Sequence, residues 1–158
     1  TQIVIVVPTS DSEIMLLPDG REIILVESVE AAWAMFAERV ARNVQPIFHW
    51  TSFDAVNMRK YAPSYVVDSL NPRLHDLYSS FKSTIQLPER SNSLKVVAPY
   101  AGFQWKGYQD WWAALRDYRL FLDTNDPAHL IEACHYQAGD VEAMVAVWKW
   151  LNSFSVKM

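Results

Sequence analysis

The front of the chain alternates short apolar runs with turn residues. Ile3 to Val7 is a β-branched run that ends at Pro8, and it is followed by a second apolar run from Ile14 to Leu17. Arg21 to Val26 forms a third run. Pro18-Asp19-Gly20 lies between the last two, where proline presets φ and glycine accepts positive φ. The pattern predicts three strands, with the second and third joined as an antiparallel hairpin.

Apolar residues then recur at helical spacing. Ser28 is placed to cap a helix with apolar positions from Val29 to Val40, which should end near Asn43. Gln45 to Trp50 resembles a short buried strand, and Thr51 or Ser52 can cap the helix that follows. Three strands, a helix, a strand and a helix are the order of an α/β fold.

The rest of the chain is predicted to be helical. Prolines make the helices between residues 62 and 87 short, whereas 108–122 has the spacing of a helix with an aromatic face. Asp126-Pro127 should start another helix. A last amphipathic helix is expected from about Gly139 to Asn152, with Asp140 in its first turn.

Length and composition set the frame for these elements. The 158 residues suit one compact domain, 1–158, with a small mixed β-sheet in front and flanking α-helices behind. The net charge of −4 argues against a general nucleic-acid coat, although carboxylates that hold metal ions would also lower the charge. No apolar run is long enough to span a bilayer, so we expect no membrane partner.

Cysteine content narrows the choice further. Cys134 is the single cysteine, which excludes an internal disulfide framework and a zinc site built from several thiolates. This fits a reducing cytosol, and a cytoplasmic location is therefore expected. No partner or basic pair suggests activation, so Cys134 is expected to be an inert, partly buried thiol.

The acids at the starts of two predicted helices are the candidates for chemistry. Asp54 follows a predicted buried strand, and the carboxyl end of a strand is where open α/β folds place their ligand sites. Asp140 is preceded by His135 and Tyr136, two groups able to handle protons. Asp54 and Asp140 could share Mg²⁺ or Mn²⁺, which prefer oxygen ligands. Each acid could equally be a first-turn residue that complements its helix dipole.

Four segments in this order carry a family resemblance. They are Phe48-His49-Trp50-Thr51-Ser52-Phe53-Asp54, His75-Asp76-Leu77, Ser93-Leu94-Lys95-Val96-Val97-Ala98 and Tyr136-Gln137-Ala138-Gly139-Asp140-Val141-Glu142-Ala143. Together they resemble the DEDD-type exonucleases of the RNase H-like superfamily. The resemblance is closest to the RNase H-like domain attached to predicted RecB-family nucleases and helicases, and it covers roughly Glu27 to Leu151.

The resemblance implies a function and roles for residues. It implies a 3′-to-5′ exonuclease that hydrolyses the phosphodiester bonds of DNA or RNA ends by a two-metal mechanism. Asp54 would match the second-motif aspartate and Asp140 the last-motif aspartate. Tyr136 matches the tyrosine version of the last motif, whereas His135 lies where the histidine version has its general base. An associated or fused helicase or RecB-like nuclease is the implied partner.

The chain departs from the family at its front. The family has an Asp-x-Glu pair on its first strand, but Ile3 to Val7 contains no acid. Asp11 and Glu13 match the Asp-x-Glu pattern, but they lie in what looks like a loop. Either they complete the metal site, or the original first strand is missing. In the second case two aspartates alone would hold one ion weakly, and catalysis would be slow or absent.

Basic and aromatic side chains are candidates for nucleic-acid binding. Lys95 could meet a phosphate, or it could be a solvated lysine on a helix. Phe103 and Trp105 lie near a predicted loop and are candidates for an exposed surface on which bases stack. Trp33, Trp112 and Trp148, by contrast, lie on helical apolar stripes and are expected to be core.

Two main hypotheses result, with a third beside them. The first is a metal-dependent 3′-to-5′ exonuclease, and the second is an inactive relative that binds nucleic acid or docks a partner protein. The third is a piece of a larger nuclease or helicase. The sequence leaves open the choice of DNA or RNA, single or double strands, and the oligomeric state.

Overall fold

The computed structural model describes residues 4–9, 13–107 and 110–154. Contacts within the backbone divide the chain into two compact units, Thr1–Ser80 and Phe81–Met158. Over the described ranges, the first unit holds every strand and the second is built from helices. The expectation of a single domain, 1–158, stays a prediction.

The predicted hairpin is present in the first unit. Its three-stranded sheet consists of β1 (Val4–Pro8), β2 (Glu13–Leu16) and β3 (Glu22–Val26). The order is β1-β3-β2, with β2 antiparallel and β1 parallel to β3. Gly20 has a φ of 83° in the turn, which only glycine adopts without strain. The sheet is therefore mixed, as the sequence predicts, and β3 is its buried central strand.

Three helices follow this order in the first unit. They are α1 (Val29–Ala41), α2 (Phe53–Tyr61) and α3 (Ser64–Leu70). The Ser28 hydroxyl accepts a hydrogen bond from the Ala31 N–H at 3.0 Å, so the predicted cap is confirmed. Buried side chains of α2 and α3, including Met58 and Val66, form a core against which Trp33 packs. Trp33 is therefore a packing residue, as expected.

A second, parallel sheet joins two distant strands. β4 (Ile47–His49) pairs in parallel with β5 (Leu74–Asp76), and His49 lies opposite Asp76. β4 confirms the expected strand between residues 45 and 50. β5 was not predicted from the sequence, because a strand of only three residues is too short to show an alternation of polar and apolar positions. A 3₁₀ turn (Asn71–Arg73) leads into β5, and α4 (Leu77–Thr84) follows it.

The second unit differs from the expectation in its last helix. Its elements are α5 (Leu94–Val97), a 3₁₀ turn (Ala98–Ala101), α6 (Trp111–Thr124) and α7 (Pro127–Ser153). The start at Asp126-Pro127 is confirmed, since the Asp126 carboxylate accepts the Ala128 N–H at 3.0 Å. The helix then runs 27 residues without a break. The expected start near Gly139 is wrong, and Asp140 lies in the middle of α7 instead of its first turn.

Two tryptophans expected in the core are exposed. Trp112 on α6 is 61% exposed and Trp148 on α7 is 41% exposed. Helical periodicity was right for both helices, but the buried face of α6 is formed by Ala114, Asp117 and Phe121.

Within the described ranges, no helix is both long enough and apolar enough to cross a membrane.

Candidate active site

One face of α7 carries three polar side chains at one-turn intervals. Glu132, Tyr136 and Asp140 are four residues apart, and residues at this spacing lie above one another on a helix. Tyr136 and Asp140 are half-buried, whereas Glu132 is exposed. Because α7 is continuous through this stretch, the backbone positions of Tyr136 and Asp140 are about one helical turn apart.

The Asp140 carboxylate is oriented by an indole from the preceding loop. Trp105 Nε1 donates a hydrogen bond to Asp140 Oδ1 at 3.1 Å. The Trp105 ring also packs edge-on against Phe103, with ring centroids 5.0 Å apart. Phe103 and Trp105 are both half-buried, so they are less exposed than the sequence analysis expected. Trp105 positions an acid here.

Gly139 makes this contact possible. A Cβ at position 139 would lie 2.9 Å from Trp105 Cδ1, which is closer than real Cβ contacts come. The glycine is therefore in the middle of α7 because the indole needs the space. This is the physical reason why glycine at this position was a misleading signal for a helix start.

Lys95 is directed at Tyr136. Its Nζ donates to the Tyr136 hydroxyl oxygen at 3.0 Å and lies 4.5 Å from the ring centroid. Lys95 is half-buried on α5, so the alternative of a solvated lysine does not apply. The contact brings a positive charge to the tyrosine, one helical turn from Asp140.

An open pocket lies beside these residues. It has a volume of about 210 Å³ and is lined by Lys106, Gly107, Glu132, His135 and Tyr136. His135 Nδ1 is 3.9 Å from Glu132 Oε1, a separation at which the carboxylate would attract the protonated ring. Six residues that the sequence analysis singled out therefore come together within the second unit: Lys95, Phe103, Trp105, His135, Tyr136 and Asp140.

The first unit contains a strained turn at the carboxyl ends of β4 and β5. Thr51 has a φ of 63°, which is rare for a β-branched residue. Its N–H donates to Asp76 Oδ1 at 3.0 Å, and its carbonyl oxygen lies within hydrogen-bond distance of His49 Nδ1. Because a carbonyl can only accept, Nδ1 must carry the proton. Both ends of the turn are thus fixed from the strands.

Asp76 has a structural role in this turn. Besides the Thr51 N–H, its carboxylate accepts the Tyr78 N–H at 3.0 Å and the Ser79 hydroxyl at 2.8 Å. The carboxylate therefore caps the start of α4 while it holds the turn that leads into α2. Asp76 is thus an acid at the start of a helix, where its negative charge also complements the helix dipole.

Asp54 follows the strained turn directly. It lies in the first turn of α2, is exposed, and comes after the carboxyl end of β4, as the sequence predicts. The side chain of Ser52, at the N-cap position, makes no capping hydrogen bond. Asp54 is therefore an acid in the first turn of α2, where its negative charge complements the helix dipole.

The acids expected from the front of the chain are less well placed. The expectation that Glu13 lies in a loop is wrong, because Glu13 is the first residue of β2. It pairs opposite Leu25 and is exposed at the edge of the sheet. Asp11 lies outside the described residues. Whether either acid serves a metal site stays a prediction.

The donor atoms fit a hard divalent cation in kind but not in number. In the part of the chain that the structure describes, no group of three or more His, Cys, Asp or Glu side chains is arranged to hold a metal ion. Taken alone, the first unit offers Asp54 and the second offers Asp140, whose carboxylate is hydrogen-bonded as metal-ligating carboxylates commonly are. Apart from Glu13 at the edge of the sheet, the described candidate set within either unit is thus a single carboxylate.

Sequence analysis missed Glu132, Lys106 and the Thr51 turn. Glu132 had a detectable signal, because one continuous helix from Pro127 would have put it in line with Tyr136 and Asp140. Lys106 is a lone lysine beside aromatic residues, and the φ of Thr51 leaves no trace in the letters.

The chain is similar to a known protein family over most of its length. A family model described as "RNase_H superfamily" matches residues 24–152. The match begins in β3 and ends near the end of α7, so it covers Asp54, Lys95, His135, Tyr136 and Asp140 but neither Asp11 nor Glu13. No curated protein and no solved structure matches the chain.

Proposed function

Because the chain belongs to the RNase_H superfamily, whose members are commonly nucleases, we propose that it is a metal-dependent nuclease that hydrolyses phosphodiester bonds. In its specific form it is a DEDD-type 3′-to-5′ exonuclease acting on DNA or RNA ends. The order of the four motif segments supports this form. So does the presence of both last-motif residues, Tyr136 and Asp140, on one helix face.

The observation that carries the proposal is the pair of oriented side chains on α7. Asp140 is held by the Trp105 indole at 3.1 Å, and Tyr136 is held by the Lys95 ammonium at 3.0 Å. Half-buried polar groups fixed by such contacts are pre-organised, which is what a catalytic site needs and a solvated helix face does not.

Mg²⁺ or Mn²⁺ is the proposed cofactor, and Asp54 and Asp140 are each proposed as a metal-ligating residue. When bound, the ion would polarise a water and neutralise charge on the scissile phosphate. The side chains of this chain have the remaining tasks. Trp105 keeps one carboxylate oxygen of Asp140 engaged and so sets the direction of the other. The turn at Thr51 fixes the start of α2 and therefore the backbone of Asp54.

Two groups are proposed to handle the proton of the attacking water. Tyr136 would orient that water through its hydroxyl, which Lys95 positions. His135 lines the adjacent pocket beside Glu132, so it would be within reach of that proton as a general base. Lys95 and Lys106 supply positive charge that a phosphate would meet.

A second candidate function is an inactive module that binds nucleic acid or docks a partner protein. Two observations favour it over an active enzyme. The family match begins after Asp11 and Glu13, and the described residues contain no group of three or more metal-ligating side chains. An associated helicase or RecB-like nuclease would be the natural partner of such a module.

The proposal is tested by metal binding and by cleavage with the same proteins. Mn²⁺ is titrated calorimetrically into the chain and into Asp54→Asn and Asp140→Asn, which keep the side-chain shape. Asp68→Asn is the matched control, because Asp68 is also an exposed helical acid of the first unit. The expected result is metal binding that both site variants weaken and that the control leaves unchanged.

Cleavage direction is then measured on single-stranded oligonucleotides labelled at the 5′ end, with a free or a blocked 3′ end. A ladder that shortens stepwise from a free 3′ end, and stops when that end is blocked, supports the exonuclease. Cleavage of circular single strands, which have no 3′ end, would instead indicate an endonuclease. Absence of both metal binding and cleavage by the unmodified chain would favour the inactive module.

A further inference from the structure

Two adjacent tryptophans at the start of α6 are stacked and exposed. Trp111 and Trp112 have ring centroids 4.0 Å apart with planes inclined by 27°. They are 50% and 61% exposed, respectively. Their backbone is anchored, because the Asp110 carboxylate caps α6 by accepting the Trp112 N–H at 3.0 Å. The pair is therefore a defined feature of the surface.

Such a pair is difficult to explain as packing. Large aromatic side chains contribute most when they are buried, and the residues that α6 turns into the interior are Ala114, Asp117 and Phe121 instead. Exposed apolar surface of this size in a folded protein commonly marks a binding site. Two flat rings already in contact also have little freedom left to lose when a third ring stacks on them.

The charges on the same face of α6 point to the kind of ligand. Arg116 and Arg119 follow Trp112 at four and seven residues, which places them on the same side of the helix, and both are exposed. Arg116 Nη2 lies 3.7 Å from the carboxylate of the buried Asp117, while the Arg116 side chain itself remains largely exposed. Asp110 at the cap and Asp123 at the far end are the acids of this face.

Together, these observations favour one ligand class. Aromatic rings followed by arginines at helical spacing match the bases and phosphates of a nucleic acid strand, since every unpaired base has a flat face that can stack on an indole. Tryptophan and arginine are also enriched at protein interfaces, so the oligomeric state of the variants distinguishes a protein partner from a nucleic acid strand.

We propose that Trp111, Trp112, Arg116 and Arg119 form a single-strand platform, on which unpaired bases stack on the indoles while the arginines contact the phosphates. The inference rests on the proposed function and narrows its substrate to single-stranded nucleic acid. In the exonuclease, the platform would hold the strand outside the chemical step.

Binding is measured without catalysis, so that the two proposals can fail separately. Fluorescence anisotropy in EDTA follows the wild-type chain binding labelled oligothymidylate and oligouridylate of about 20 nucleotides, longer than the ~4–16 nucleotides that such surfaces commonly cover. Trp111→Ala and Trp112→Ala are each compared with Trp148→Ala, a matched control at another exposed tryptophan of the second unit. Circular dichroism verifies that each variant is folded.

Loss of one stacked base should weaken binding on the order of 5- to 150-fold in each platform variant and leave the control unchanged. Trp112→Phe, which keeps a smaller ring, should lie between Trp112→Ala and the wild type. Arg116→Gln and Arg119→Gln should each reduce the dependence of binding on salt. The two oligonucleotides distinguish a DNA strand from an RNA strand.

Three results would overturn the platform. They are equal binding by the tryptophan variants and the wild type, equal binding of a blunt duplex and a single strand, and a dimer that Trp112→Ala dissociates. Failure of cleavage together with tryptophan-dependent binding would reject the exonuclease but retain the platform. Cleavage with an unchanged KM in the tryptophan variants would reject the platform but retain the exonuclease.

Discussion

Replacement of Gly139 by alanine tests the contact that orients Asp140. In an unconstrained helix interior this change is stabilising by about 0.8–1.0 kcal/mol, because glycine has more backbone freedom to lose. Here the new Cβ would lie 2.9 Å from Trp105 Cδ1. Overpacking of this kind costs about 1–3 kcal/mol, or the indole moves away and its hydrogen bond to the carboxylate is lost.

The two effects can be weighed against each other. A hydrogen bond to a charged group contributes about 1.5–3 kcal/mol, and the half-buried position of Trp105 and Asp140 favours the lower end of that range. The loss therefore exceeds the gain in helix propensity. We expect Gly139→Ala to lower the free energy of unfolding by about 0.5–1 kcal/mol.

A double-mutant cycle separates the contact from the helix effect. In a Trp105→Ala background the indole is absent, so Gly139→Ala should become stabilising by about 1 kcal/mol. Urea denaturation followed by circular dichroism measures all four proteins. Equal stabilisation by Gly139→Ala in both backgrounds, with a coupling below about 0.5 kcal/mol, would refute the close approach of Trp105 to the helix.

Three further outcomes are expected from the same structure. Asp76→Ala removes an acceptor of three hydrogen bonds and should lower the free energy of unfolding by about 2 kcal/mol in urea denaturation, whereas an effect below about 0.5 kcal/mol would contradict its role at the turn. Lys95→Met keeps the apolar stem but removes the donor to Tyr136, so it should cost about 1 kcal/mol in wild type and much less in a Tyr136→Phe background. Burial raises the pKa of the Cys134 thiol to about 12, so the folded state favours the protonated thiol. Stability contributed by this thiol is present below its ordinary pKa of about 8.5 and is lost as the pH rises towards the folded value, and the stability difference between wild type and Cys134→Ala should shrink over that range. A difference that stays constant with pH would contradict it.

Elements whose signals are local were predictable from the sequence. The turn at Pro18-Asp19-Gly20, the Ser28 cap and the start of α7 at Asp126 each depend on residues within a few positions of one another. The α/β order follows from these signals, and the family match supports the RNase H-like assignment. The candidate residues of α7 were identified as well, since their motif lies within one helix.

The predictions were wrong at positions whose structure depends on residues far away in the sequence. Gly139 resembled a helix start because glycine commonly interrupts helices, but its neighbour in space is Trp105, 34 residues earlier in the chain. Trp112 and Trp148 lie on apolar stripes by periodicity, yet the periodicity of a helix does not say which of its faces will be covered. β5 was missed because its pairing with β4 alone makes it a strand.

The sequence by itself therefore determined where most helices and strands begin, which side chains could do chemistry, and the family to which the chain belongs. Only the tertiary structure decided that Lys95 contacts Tyr136, that Trp105 contacts Asp140, and that Asp76 holds the turn before Asp54. The reason is physical. Caps and turns are satisfied by neighbours along the chain, whereas these contacts join residues 25 to 41 positions apart and exist only once the intervening elements have packed.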